Sequence, residues 1–169
     1  MLLCKCCSKN IAAKTKAWIG KEAAGTGPVA DYARRAIEHA EDEYFSRMGW
    51  FTRTHPLELP SGRLLVPMYS DGYSFGIMAI SDDGGVTWKG SEPIVGLGGV
   101  QPSVVRKNNG TLVAYLRDNG PAPKRALMSE STDDGESWTT MLLVTTLNSP
   151  IASGVGCITW FENPWLLVP

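Results

Sequence analysis

The stretch SDDGGVTW at 81–88 is written again, almost letter for letter, as STDDGESW at 131–138. No other feature restricts the fold as much, because the two copies sit inside longer segments that also align. HPLELPSGRLLVPMYSDG (55–72) lines up with QPSVVRKNNGTLVAYLRDNG (101–120). Pro56 matches Pro102, Gly62 matches Gly110, Ser81 matches Ser131 and Trp88 matches Trp138, at offsets of 46, 48, 50 and 50 residues. Short apolar alternations separated by turn residues indicate strands. They predict strands at 56–60, 63–69, 74–81 and 87–94 in one unit, and at 102–107, 111–117, 125–131 and 137–145 in the next. A third unit opens at SGVGCITW (153–160) and WLLVP (165–169). A period near 50 with four strands per unit is the signature of a β-propeller blade. The predicted fold is therefore all-β, a partial β-propeller of two four-stranded blades plus part of a third, with an N-terminal helix.

Turn chemistry explains why the eight-residue stretch is kept. Asp83 and Asp133 are placed to accept hydrogen bonds from turn N–H groups, and Gly85 and Gly135 supply a φ > 0 position. Ser81 and Ser131 close the preceding strand, while Trp88 and Trp138 carry large apolar surface back into the sheet. The adjacent acids Asp82–Asp83 and Asp133–Asp134 then read as turn residues, not as a catalytic pair.

Three regions follow along the chain. Residues 1–30 form a lysine-rich, acid-poor leader, read as poorly ordered, with Cys4, Cys6 and Cys7 clustered and Cys157 far away. That spacing lacks the second cysteine pair of a zinc site, so no metal and no cofactor is expected. Residues 31–48 predict a helix: Tyr32, Ala33, Ala36, Ile37, Ala40 and Tyr44 recur at three- and four-residue steps, Asp31 is placed to cap the start, and Gly49 to end it. His39 reads as a partly buried structural histidine on that helix. Residues 49–169 form the propeller part. A formal net charge of −1 over 169 residues gives no electrostatic reason for a nucleic-acid partner, and no apolar run reaches the roughly 20 residues of a membrane span. No signal sequence is legible, and the compartment is left open. Asn109 heads an N-x-T sequence, for which a hairpin turn is sufficient explanation.

Both repeated stretches match S-x-D-x-G-x-[TS]-W at every specified position, and the chain thereby resembles the BNR, or Asp-box, repeat proteins of the sialidase superfamily. The resemblance covers residues from about 49 to 160 and implies a six-bladed propeller with a sugar-cleaving site at its axis. Retaining sialidases use a tyrosine nucleophile assisted by a glutamate, an aspartic acid/base, and three arginines on the substrate carboxylate. A guanidinium suits a carboxylate because it offers two parallel hydrogen bonds. In the family one arginine closes a segment E-S-x-V-V-x-x-x-x-G-x-L-x-x-x-x-R, to which QPSVVRKNNGTLVAYLR (101–117) is similar with the same separation of sixteen. Arg117 therefore matches a carboxylate-binding arginine, and Gln101 falls at the glutamate, where a neutral amide cannot take a proton. The internal repeat places Tyr69 at the Arg117 position and His55 at the Gln101 position of the preceding unit. Gln101, Tyr69 and Asp71 are thus the expected catalytic positions, and Arg117, Asp118, Arg53 and His55 the expected substrate-binding ones. The implied partner is a carbohydrate, sialic-acid-like or otherwise acidic, together with the missing blades of a parent protein. Three functional readings stand: part of a sialidase-like glycoside hydrolase, a non-catalytic glycan-binding propeller, or an inactive structural fragment.

Overall fold

Pro28, whose fixed φ suits a first helical turn, opens helix α1 (Pro28–Glu41) behind Gly27 at φ 94°. The computed structural model describes residues 13, 16, 17, 19, 20, 23–96, 98–119 and 125–144. Ala30, Ala33, Ala36 and Ala40 are buried on one face of α1, and such small side chains let a helix lie close to what it packs on. The single helix predicted over 31–48 needs two corrections. Asp31 lies within the first turn, paired with Arg34 at 2.5 Å, and does not cap it. Asp42 takes an extended conformation and accepts a hydrogen bond from Tyr44 N at 2.7 Å, which ends α1 and starts a short helix, α2 (Glu43–Arg47). An aspartate competes with helical bonding in this way by offering its carboxylate to an N–H two residues on. The break takes Tyr44 off the predicted apolar stripe and leaves it 65% exposed. Ile19, within the predicted leader, is buried in the same cluster as Ala33 and Ala36.

Two antiparallel sheets carry the rest of the described chain. The first contains β1 (Trp50–Phe51), β2 (Leu57–Glu58), β3 (Leu64–Ser70), β4 (Phe75–Ser81) and β5 (Lys89–Gly90), in the order β1-β3-β4-β5 with β2 also on β3. The second contains β6 (Gly99–Arg106), β7 (Leu112–Asp118), β8 (Leu127–Ser131) and β9 (Leu142–Leu143), in that order. The first sheet thus has five strands where four were predicted. β1 pairs with the far end of β3 (Trp50↔Ser70) and β2 with its near end (Leu57↔Leu65), so together they occupy one edge interrupted by residues 52–56. The matching edge of the second sheet is β6, whose ladder slips between Val100 and Ser103. Pro56 and Pro102 lie in these two interruptions, and a proline has no N–H to give to a ladder. The repeat therefore breaks the same edge at the same place in both sheets. The outer strands β5 and β9 are two residues each, shorter than the predicted 87–94 and 137–145. The third unit expected beyond 153 lies outside the described residues.

β4 is buried along its whole length because each of its faces is covered. Phe75, Ile77 and Ala79, with Met68 and Trp50, pack against the alanine face of α1. Met78, Ile80 and Leu65 pack against Val104, Leu112, Ala114, Leu116 and Trp138 of the second sheet and its turn. The layers run helix, sheet, sheet. Close approach of the sheets depends on Gly76, where a Cβ would come within 2.9 Å of Pro102 Cγ. The helices in turn grip the β3–β4 turn: His39, half-buried, donates through Nδ1 to Gly72 O at 2.6 Å and stacks on Phe45, while Tyr73 Oη donates to His39 O.

Candidate functional site

The two repeated turns fold almost identically. In the first, Ser81 Oγ donates to Asp83 Oδ1 and accepts from Gly85 N, both at 2.8 Å. Thr87 N donates to Asp83 Oδ1 at 2.8 Å, Thr87 Oγ1 to Oδ2 at 2.5 Å, and Trp88 Nε1 to Gly85 O at 2.9 Å. The second turn repeats each bond with Ser131, Asp133, Gly135, Ser137 and Trp138. Donors on both carboxylate oxygens favour the charged form. The Thr87 hydroxyl and N–H, then Ser81, hold the Asp83 carboxyl down at about 2. At Asp133 burial pushes upward, but the Ser137 and Ser131 bonds outweigh it and the carboxyl ends below its usual range. The left-handed position is doubled: Gly84 and Gly85 take φ 71° and 93°, and Asp134 and Gly135 take 55° and 88°. Both oxygens of each carboxylate accept hydrogen bonds from within the turn, as a structural role requires.

A cation unnoticed in the sequence ties the two turns together. Arg63, on the turn before β3, holds Asp82 bidentately through Nε (2.6 Å) and Nη2 (3.1 Å). Its Nη1 reaches Asp134 O and the Glu136 carboxylate, each at 3.1 Å. Lys89 joins the same Glu136 at 2.6 Å. The Arg63 bond, opposed by desolvation and supported by Lys89, lowers the Asp82 carboxyl. A shallow depression of about 180 Å³ lies here, lined by Ile80, Asp82, Asp83, Thr87, Trp88 and Lys89. Its acids are already engaged, so it offers structure and not chemistry.

The expected site residues gather at the opposite end of the sheets. β3 begins at Leu64, beside Ser81 and the first repeated turn, and ends at Ser70 beside Phe75. Tyr69 and Asp71 therefore stand at the far end, where Tyr69 is half-buried with its ring 6.0 Å from Phe51. Arg53 follows Phe51 in the interrupted edge and crosses to the second sheet, donating from Nη1 to Gln101 Oε1 at 3.0 Å. Thr54 Oγ1 makes a parallel link to Pro102 O at 2.8 Å. Val100, next to Gln101, pairs with Arg117, and Gly99 with Asp118. Arg53, Tyr69, Asp71, Gln101, Arg117 and Asp118 thus lie at one end, with exposed His55 in the same interrupted edge.

Gln101 is the unusual member. It is 8% exposed, polar, and at φ 57°, in the left-handed region that side chains rarely adopt. The ladder slip around Pro102 imposes that backbone, and bulges of this kind re-aim a side chain out of the regular alternation. The strand predicted to start at 102 starts at Gly99, and the slip moves Gln101 to the sheet-to-sheet contact. Asp118 Oδ2 accepts from Arg125 N at 3.3 Å. Among the described residues neither Arg53 nor Arg117 has an ion-pair partner, and no cluster of metal-ligating side chains is formed. No helix among them is long and apolar enough to cross a membrane. Sequence reasoning missed Thr54 and Arg63. Thr54 adjoins the flagged Arg53 and His55, but nothing in the alignment marks Arg63, whose counterpart in the second unit is Thr111.

Solved structures similar to part of the chain include a variant of NanB sialidase from Streptococcus pneumoniae, at 25% identity and TM-score 0.45 over 54% of this chain and 14% of that one. Trypanosoma rangeli sialidase is 30% identical with TM-score 0.42 over 48% and 13%. The intramolecular trans-sialidase from Ruminococcus gnavus is 30% identical with TM-score 0.42 over 50% and 17%. The chain thus matches about a seventh of the length of these structures. No curated protein matches significantly. The BNR repeat-like domain family matches residues 33–168, most of the chain. With both S-x-D-x-G-x-[TS]-W turns formed and the repeats folded as successive antiparallel sheets, the chain belongs to the BNR repeat-like domain family.

Proposed function

We propose that residues 49–169 are part of a sialidase-like β-propeller whose axial funnel binds a terminal, acidic sugar. The Arg53–Gln101 bond carries this reading. It joins the interrupted edges of two successive sheets at the end away from the repeated turns, and Arg117 and Tyr69 stand at that same end. Guanidinium groups, a tyrosine hydroxyl, an amide and carboxylates are the donors and acceptors that a polyhydroxylated anionic ligand requires. In this reading Arg117 and Arg53 take the sugar's carboxylate, His55 and Asp118 take hydroxyls, and Tyr69, Asp71 and Gln101 occupy the positions of the reacting groups. A ring of such sheets encloses the funnel and removes exposed edges.

Gln101 favours a second reading, binding without cleavage. An amide has no proton-accepting state near neutral pH, and general-base assistance contributes roughly 10²–10⁴ in rate. Both readings meet one experiment. The purified chain is titrated by saturation-transfer NMR with the α-methyl glycoside of a sialic acid, beside Arg117→Ala, and is assayed with a fluorogenic sialoside. Binding is expected, weakened by Arg117→Ala, with no turnover. Absence of binding would overturn the funnel, and turnover abolished by Arg117→Ala would overturn the non-catalytic reading.

A further inference from the structure

Ala114, Leu116 and Leu127 lie in the cluster between the two sheets. Their counterparts in the first repeat, Val66, Met68 and Ile77, belong instead to the cluster under α1. The helix therefore covers the face through which, by the repeat, a sheet receives its neighbour. At the end that carries Tyr69, Asp71 and Gln101, the first sheet is tied to the second through Arg53 and Thr54. The helices make the corresponding tie to the first sheet, and they make it on the β3–β4 turn. Asp71 and Gly72 are exposed there, and the turn is closed by Ser74 N on Ser70 O at 2.8 Å, with Ser74 at φ 56°. Exposed turns are mobile unless something holds them. Three contacts hold this one. A carbonyl oxygen only accepts, so His39 Nδ1 carries the proton donated to Gly72 O at 2.6 Å. The His39 ring stacks on Phe45 at 4.1 Å, and Phe45 in turn closes over Gly72, where a Cβ would meet its Cδ1 at 2.9 Å. Tyr73 Oη returns a bond to His39 O at 3.0 Å.

We infer that His39 is a positioning residue for the proposed sugar site: from outside the repeats it fixes the β3–β4 turn, and with it Asp71, before a ligand arrives. The inference rests on the funnel reading above and adds to it a residue that acts only through another. A group ordered in advance costs less to immobilise on binding, and groups held by a helix are placed more accurately than groups left to a loop. The stack on Phe45 and the bond from Tyr73 to its own backbone leave the imidazole little freedom, so the direction of its Nδ1–H sets where the turn stands. The N-terminal helix is in this way a working part of the site and not only a cover for the first sheet.

The test is a double-mutant cycle on the full chain, with the α-methyl glycoside of a sialic acid as ligand and circular dichroism to verify that each variant is folded at the temperature of titration. His39→Phe keeps a ring on Phe45 but removes the donor, and is expected to weaken binding by on the order of tenfold. His39→Asn, whose amide N–H can replace Nδ1–H, is expected to recover most of that loss. Gly72→Ala pushes Phe45 off the turn with His39 intact and is expected to weaken binding as well, which keeps the test valid should His39→Phe not fold. Asp71→Ala is expected to weaken binding, and in its background neither His39→Phe nor Gly72→Ala should weaken it further. Trp88→Ala, which lowers stability from the opposite end of the sheets, should leave affinity unchanged. Unaltered affinity in a folded His39→Phe or Gly72→Ala, losses that add to that of Asp71→Ala, or an equal loss from Trp88→Ala overturns the inference and leaves the funnel reading intact. Failure of the unaltered chain to bind overturns the funnel reading and the inference with it.

Discussion

Trp138 and Trp88 occupy the same position of the repeated turn and make the same indole bond, to Gly135 O and Gly85 O, yet they should not cost the same to remove. Trp138 is 5% exposed and sits in the core between the two sheets, with Leu65, Ile80, Leu112 and Met141 in its cluster. Trp88 is half-buried at the margin of the helix-side core. A buried tryptophan removes about 150–250 Å² from water, which at about 25 cal/mol per Å² is roughly 4–6 kcal/mol as an upper bound. Measured truncations of large aromatic residues cost about 3–5 kcal/mol. Trp138→Ala is therefore expected to lose about 3–5 kcal/mol and Trp88→Ala about half as much. Trp138→Phe, which keeps most of the apolar contact but leaves Gly135 O without its donor, should lose about 1–2 kcal/mol. At about 2–4 °C per kcal/mol for a chain of this size, Trp138→Ala lowers Tm by roughly 6–20 °C. Denaturant titration followed by far-UV circular dichroism reads the series without relying on tryptophan emission. Equal losses from Trp138→Ala and Trp88→Ala, or a loss below about 1 kcal/mol at Trp138, would refute the assignment of Trp138 to the inter-sheet core.

Gly76→Ala places a Cβ 2.9 Å from Pro102 Cγ and 3.3 Å from Met68 O; overpacking of this kind costs about 1–3 kcal/mol, and an unchanged melting curve would contradict the sheet-to-sheet contact. Asp83, held at about 2 in the folded chain against about 3.9 unfolded, contributes stability that is present above about pH 4 and is lost as pH falls toward 2. Asp83→Asn should flatten that part of the acid-unfolding profile, and parallel profiles for the two proteins would show that the carboxylate is not the cause. Arg63→Met removes the cation shared by Asp82, Asp134 O and Glu136. The difference in stability from the unaltered chain should shrink in about 1 M salt, where screening acts over about 3 Å, and a salt-independent difference would assign Arg63 to packing alone.

Sequence alone determined the repeat, its central strands and the chemistry of its turns, because those depend on near neighbours in the chain. Ser81 to Trp88 and Ser131 to Trp138 close their own hydrogen bonds, so their pattern is legible without any tertiary partner. Short apolar segments bounded by turn residues likewise place β3, β4, β7 and β8 to within two residues. Helix ends were less legible: the sequence points to Asp31 as the cap and Gly49 as the stop, whereas in the folded chain Asp31 lies inside the first turn and Asp42 separates the two helices. The candidate site was legible as a set of residues and not as an arrangement. Gln101 and Arg117 follow from the family resemblance, Tyr69 from aligning Gly62 with Gly110 and His55 from aligning Pro56 with Pro102, but the crossing from Arg53 to Gln101 joins residues 48 apart, and the left-handed backbone at Gln101 lies where the ladder slips. Arg63 shows the same limit from the other side, since its partners at Asp134 and Glu136 come from the next repeat and no local pattern announces them. Contacts within one repeat are written in its sequence; contacts between repeats depend on how two sheets stack, and packing across an interface of many small terms is settled only when both sheets are in place.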